Sequence, residues 1–424
     1  MSSPKSAVVI GAGVAGLCCA YHLRKRELDV VVVESNRVGS GASWGNGGWI
    51  CPAQAGPLPE PGLTLYGIRS LFDADSSLYV KPGNWGELIP WPLRFWTYCN
   101  KRDYQYGTEA LALLGKDIFD LVEEMIADGV EFELHRKGML VAARNAELVH
   151  AGLRKLAPMR AYGYELPKTV TSGAELHELE PALAREVNTG FLVNQHWHVR
   201  PETFTAGMAA ALGRMGVEIV EGAEVTDFEV REDRVASVIT AAGRYSADAF
   251  VVAAGAWTPP LAQMLGVSFP MQAGKGYSFF VSPSVLPKRS ILLADVHVGC
   301  TPFGDRMRIG GTLEFSGLNT RLDHRRIAAI VKGAHESFLP WKAREDATEW
   351  AGLRPVTPDG LPVLDRLTPG GNVFLATGYS MLGITLAPPA GRAIAEFVAS
   401  GRRPKLLEPF RLDRLRGLRW HRGD

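Results

Sequence analysis

Residues 6–34, SAVVIGAGVAGLCCAYHLRKRELDVVVVE, constrain this chain more than any other stretch. A short β-branched run, Ala7, Val8, Val9 and Ile10, reads as a fully buried strand. The turn Gly11-Ala12-Gly13-Val14-Ala15-Gly16 follows at once. Residues 17–25 then carry helical periodicity, and 29–34 form a second buried strand ending in an acid, which completes a βαβ unit. Each glycine serves a physical purpose. Gly11 permits the tight turn, Gly13 offers no side chain to block a diphosphate, and Gly16 lets the helix approach the sheet. The opening of the helix supplies free N–H groups and the positive end of its dipole. Glu34 stands 23 residues after Gly11, with Ser35 beside it, where a carboxylate can hold the hydroxyls of an adenosine ribose. The unit therefore predicts dinucleotide binding.

The rest of the chain is organised around that unit. At 424 residues it is long enough for two to three domain-sized parts. Residues 109–128 have helical spacing up to Gly129, 138–143 read as a strand, and 203–216 as a helix. Residues 249–255 form another buried strand with a glycine exit, and short strands dominate from 271 to 313. A strand over 372–376, a loop from Gly378 to Gly383 and a helix over 387–400, with Pro388 and Pro389 at its start, close the pattern. This order predicts an α/β (α+β) chain: a Rossmann-like nucleotide domain from 1–80, 198–268 and 345–424, with an interleaved antiparallel-sheet substrate domain from 81–197 and 269–344.

Composition excludes several classes. Lys+Arg and Asp+Glu nearly cancel, 46 against 45, so no global field favours nucleic acid as a partner. The five cysteines carry no metal-binding or disulfide spacing, which predicts no metal and fits a reducing cytoplasm. No apolar run is long enough to span a bilayer. The Trp- and Pro-rich segment 85–96 and the arginine-rich tail 411–422 are candidate contacts with the inner face of a membrane, although a domain junction and a solvated C-terminus explain them as well.

The loop Gly39-Ser40-Gly41-Ala42-Ser43-Trp44-Gly45-Asn46-Gly47-Gly48 follows soon after Glu34. Its small residues let backbone approach a second large flat group, which points to FAD rather than NAD. Ala254 and Gly255, at the end of a buried strand, provide a similar close approach. Together with Gly274-Lys275-Gly276-Tyr277-Ser278, the box 350–360 (WAGLRPVTPDG) and the segment Thr377-Gly378-Tyr379-Ser380-Met381-Leu382-Gly383, these motifs resemble the D-amino acid oxidase superfamily over residues 6 to about 412. Bacterial D-amino acid dehydrogenases are the nearest members and glycine oxidase a more distant one.

The resemblance implies non-covalent FAD, since Trp49 stands where some relatives have a flavin-linking histidine. It implies that Ala42, Ser43, Asn46, Gly47 and Gly48 lie along the ribityl chain and ring, and that backbone at Val225 meets the adenine side. Gly378, Tyr379, Ser380, Met381, Leu382 and Gly383 would wrap the pyrimidine edge. Arg354 would bind the substrate carboxylate, a role its planar pair of donors suits. Several relatives add a tyrosine hydroxyl; here the corresponding segment, read as a strand, is Asp295-Val296-His297-Val298-Gly299-Cys300, so His297 and Tyr277 are the candidate substitutes. Met381 replaces the second arginine of glycine oxidase and predicts an apolar wall. The expected reaction is hydride removal from the carbon bearing a neutral amine of a small amino acid, with quinone or oxygen as final acceptor. Two readings stand beside a D-amino acid dehydrogenase: an oxidase or demethylase of glycine, sarcosine or a cyclic imino acid, and a non-catalytic flavoprotein subunit.

Overall fold

The computed structural model describes residues 4–63, 78–80, 90–338, 341 and 348–415. Its first layer is a six-stranded sheet in the order Glu218–Val220, Asp29–Val33, Ser6–Ile10, Ala249–Val252, Val373–Thr377 and Val363–Arg366. The first five strands are mutually parallel and the last is antiparallel to its neighbour. Runs such as DVVVV and AFVV suit this position because a parallel sheet is covered on both faces. One face carries the helices Val14–Arg24, Pro201–Arg214 and Gly383–Ser400. The other is covered by the helix Thr258–Met264 and by an antiparallel meander of Val225–Arg231, Arg234–Thr240 and Gly243–Ser246. The first and last helices touch along small residues: a Cβ on Gly391 would stand 2.7 Å from the Cys18 carbonyl carbon. That contact accounts for the buried Cys18 as a packing residue, and Cys19 is buried in the same core.

The second layer is larger. Its path runs Trp350–Val356, Gln272–Val281, Arg306–Phe315, Val298–Phe303, Ser290–Leu293, Met139–Ala143, Thr189–Val193 and Thr171–Ser172, and Leu78–Val80 pairs with Arg306–Phe315 off that path. Most pairings are antiparallel as expected, but Gln272–Val281 and Arg306–Phe315 run ten residues each where short strands were expected, and Ser290–Leu293 with Met139–Ala143 and Leu78–Val80 with Arg306–Phe315 are parallel. One face packs on the helix His324–His335 around Phe279, Ile309 and Ile327. The opposite face is turned toward the nucleotide sheet. A small sheet of Trp49–Ile50, Trp197–Val199 and Leu134–His135 ties the two layers together.

Three readings of the sequence change. The strand Trp350–Val356 pairs in the large sheet, whereas its sequence position placed it with the nucleotide sheet. The helical run over 109–128 is two helices, Lys101–Leu114 and Ile118–Ala127, broken at Gly115. The last helix starts at Gly383 instead of 387, so Pro388 and Pro389 lie within it. Among the described residues no helix is long and apolar enough to cross a membrane. Of the segment 85–96, residues 85–89 lie outside the described residues; Trp91 is buried against Phe315 with its indole N–H donating to the Val356 carbonyl. The tail is anchored as far as it is described, with Arg414 Nε 2.6 Å from Asp359, and 416–422 lie outside the described residues.

Candidate active site

A cavity of about 2020 Å³ runs between the two layers. It begins at the glycine turn. Gly11 adopts φ 106°, and a Cβ there would stand 2.8 Å from the Ala253 carbonyl oxygen, so only glycine fits the crossing. Gly13 caps the first helix, and the first-turn N–H groups, those of Ala15 and Gly16 among them, have no intrahelical acceptor. Ser43 Oγ accepts from the Val14 N–H at 2.9 Å, which clips the 39–48 loop to the helix opening. Glu34 is held at the wall: Oε2 accepts from the Ala12 N–H at 2.7 Å, and Oε1 from the Asn36 N–H at 2.9 Å and the Ser35 hydroxyl at 3.1 Å.

Gly11, Gly13, Val14, Ala15, Glu34, Ser35, Gly41, Ala42, Ser43, Asn46, Gly47, Gly48, Val225, Ala254 and Gly255 all line the cavity, as do Tyr379, Ser380, Met381, Leu382 and Gly383. Two candidates do not. A Cβ on Gly16 would lie 1.8 Å from the Gly11 carbonyl oxygen, and one on Gly378 would lie 3.0 Å from Thr357, so both serve backbone packing behind the wall. Met381 is 58% exposed and sits at the rim instead of forming an inner wall.

The C-terminal edge is polar in a particular way. Ser380 takes φ 51° and its N–H donates to the Pro355 carbonyl at 3.0 Å. Its hydroxyl and that of Tyr379 are buried without a partner among the described residues. The helix Gly383–Ser400 begins beside them and adds first-turn amides. Orphaned hydroxyls, open amides and a glycine cradle fit an extended dinucleotide with a polar ring edge. A single small-molecule site occupies about 300–1,000 Å³, so the cavity also has room for a second molecule.

Arg354 is the chief cation of that second compartment. Its guanidinium fills a notch over Gly276, where a Cβ would stand 2.3 Å from Nη2 and 2.5 Å from Cζ. Gly276 pairs with Gly352, and a bulge sets Thr312 and Leu313 opposite one residue of the neighbouring strand. Thr312 takes φ 66°, and its carbonyl accepts from Arg354 Nη1 at 2.6 Å. Burial lowers the Arg354 pKa to about 10, which leaves it charged at neutral pH. A cation so placed calls for an anionic ligand.

The two candidate substitutes for the tyrosine separate here. Tyr277 is buried, and its hydroxyl donates to Glu314 at 2.6 Å. Glu314 in turn pairs with Lys275 at 3.0 Å. Because strand residues alternate, Tyr277 faces away from Gly276 and Ser278, and only its backbone borders the cavity. His297 is not on a strand; it lies in the turn before Val298–Phe303 with φ 53° and lines the cavity. Desolvation lowers its pKa, opposed by Glu60.

Sequence reasoning missed three features: the Thr312 carbonyl, the Ser43 clip and Trp350. The Trp350 indole lies over Gly352, whose Cβ would be 1.9 Å from Cη2, and against Gly45. An aromatic two residues before a glycine on one strand, Trp350 and Gly352, was the available signal.

Fold and site together define an oxidoreductase that holds a flavin dinucleotide. The chain belongs to the DAO family, FAD dependent oxidoreductase, whose model matches residues 6–397. It is 31% identical over 403 residues to a D-amino acid dehydrogenase of Helicobacter pylori, covering 95% of this chain and 96% of that protein. It is equally similar, 31% over 410 residues, to a D-amino acid dehydrogenase of Methylobacterium radiotolerans, covering 94% and 96%. In fold it is similar to glycine oxidase from Geobacillus kaustophilus, with TM-score 0.73 at 23% identity over 98% of this chain and 100% of that one. L-proline dehydrogenase from P. horikoshii follows with TM-score 0.72 at 20% identity, covering 98% of each. The protein is thus an FAD-dependent oxidoreductase of amines or amino acids.

Proposed function

We propose that this protein oxidises the Cα–N bond of a D-amino acid, giving an imino acid that water converts to a 2-oxo acid and ammonia. The observation that carries the reading is Arg354: a desolvated guanidinium at a substrate-sized space, bonded to a backbone carbonyl and, among the described residues, to no carboxylate. It binds the substrate carboxylate through parallel donors and so fixes the direction of the Cα–H bond. FAD, held at the glycine turn and the 378–383 edge, supplies the hydride acceptor. The amides opening Gly383–Ser400 and the Ser380 hydroxyl donate toward charge developing at that edge. Trp350 and Trp49, which both line the cavity, shield the reacting carbon from water. The amine needs to lose its proton on binding, and no dedicated protein base is required for that. Quinone or oxygen then takes the electrons, and the similarity to dehydrogenases favours quinone.

The test is anaerobic mixing of the FAD-loaded chain with D- and L-amino acids, glycine and N-methyl amines. Bleaching of the flavin band by D-amino acids, ahead of the other classes, is the expected result. Bleaching by N-methyl amines alone would replace this reading with a demethylase.

A further inference from the structure

The face of the large sheet that borders the cavity changes character along one row. Register pairs place Phe191, Val141, Leu292, Gly299, Gly310 and Ser278 side by side across six strands. All six border the cavity. The Arg354 guanidinium sits at one end of this face, over Gly276 in the strand of Ser278. Gly310 leaves the middle bare. On Gly299 rests the Trp49 indole, for a Cβ there would be 2.6 Å from its Cη2, and Trp49 Nε1 is fixed by a 2.8 Å bond to Thr301 Oγ1. Beyond lies an apolar lobe walled by Leu292 and by Leu148 and Leu156 of the helix Ala146–Leu156, with Val141 and Phe191 packed beneath that helix.

Resting on the function proposed above, we infer that this lobe is the side-chain subsite, and that the protein takes amino acids with bulky apolar side chains in preference to glycine or alanine. Three strand spacings and a two-residue offset along the strand separate Gly276 from Leu292, about 16 Å. A carboxylate bonded to Arg354 uses about 3 Å of that span. Glycine and alanine leave the remainder empty. An aromatic or long aliphatic side chain lies along the Trp49 indole and removes it, together with Leu292, from water; each buried methylene contributes about 0.8 kcal/mol. Charge flanks the far opening, where Lys155 pairs with Glu60 and stands over the Tyr104 ring, 5.4 Å from its centroid. That lysine already has its carboxylate, so it is not free to hold a second carboxylate of the substrate.

The experiment titrates the FAD-loaded full chain anaerobically with both enantiomers of alanine, leucine, phenylalanine and glutamate, and with glycine. Dissociation constants come from perturbation of the flavin spectrum, and bleaching rates are read separately. Leucine or phenylalanine of the productive hand should bind at least 10-fold more tightly than alanine. Ala294→Phe and Leu148→Phe, both set in the lobe wall, should each narrow that ratio severalfold with FAD absorbance retained. Equal or tighter binding of alanine, or a ratio that neither folded, FAD-loaded variant changes, overturns the subsite. If no amino acid perturbs or bleaches the flavin, the function proposed above fails, and this inference with it.

Discussion

At Arg354 a charge is held where few groups offset its desolvation. Its fixed partner is the Thr312 carbonyl, presented by a non-glycine residue at positive φ. Truncating one member of a buried charge pair costs about 2–5 kcal/mol. Arg354→Ala should therefore raise the dissociation constant of the amino acid about 100-fold or more while the flavin band persists. Loss of FAD together with substrate would place the arginine in the cofactor site instead. Gly276→Ala is a subtler probe: its methyl would meet the guanidinium at 2.3 Å, so substrate affinity should fall with every charge in place. Unchanged affinity in that variant would show that the notch does not position the cation. Arg354 was singled out through the family resemblance of the box 350–360, since its setting between Gly352 and Pro355 suits a surface arginine at a turn as well. Its support was not, since the Thr312 bulge is a product of pairing between strands distant in sequence.

Elements report on acidity as well as on placement. The short strand Trp197–Val199 pairs His198 with Trp49, and His196 lies just before it. His196 and His198 are fully buried, and burial lowers each pKa from 6.5 to about 3. The ring nitrogens of His196 find no hydrogen-bond partner among the described residues to offset that loss of solvent. Both histidines are neutral in the fold and bind protons more readily when unfolded. Their contribution to stability is fully present above pH 6.5 and is lost as pH falls toward 3, at about 1.4 kcal/mol per pH unit for each histidine. The melting temperature should thus drop steeply between pH 6.5 and 4.5, and His196→Leu should shallow that slope. A slope identical in the variant would mean that His196 is not the proton acceptor. None of this was visible in sequence, where a lone histidine on a three-residue strand gives no pattern. Long periodic elements were legible, whereas the break at Gly115 and the early start at Gly383 depend on what each helix end packs against.

Over the whole molecule, the nucleotide half announced itself through β-branched strands and glycine exits, because a doubly covered parallel sheet leaves little choice of residue. The substrate half did not. Its strands range from two residues to ten, two pairings are parallel, and Trp350–Val356 joins it from the far end of the chain. Both halves wall one cavity, so a cofactor seated in it would stabilise the fold as a unit. Linkage gives RT ln(1 + [L]/Kd), about 1.4 kcal/mol for each tenfold excess of FAD over its dissociation constant. The melting temperature should climb with the logarithm of added FAD, without saturating while the cofactor stays in excess. Gly13→Val, which puts a branched side chain at the diphosphate position and toward Ser43, should flatten that climb. With Trp49 at the position of the linking histidine, all of the flavin should come free when the chain is denatured and filtered. Yellow colour retained on the unfolded chain would reveal a covalent bond, and a melting temperature indifferent to FAD in the unmodified protein would then have the same cause.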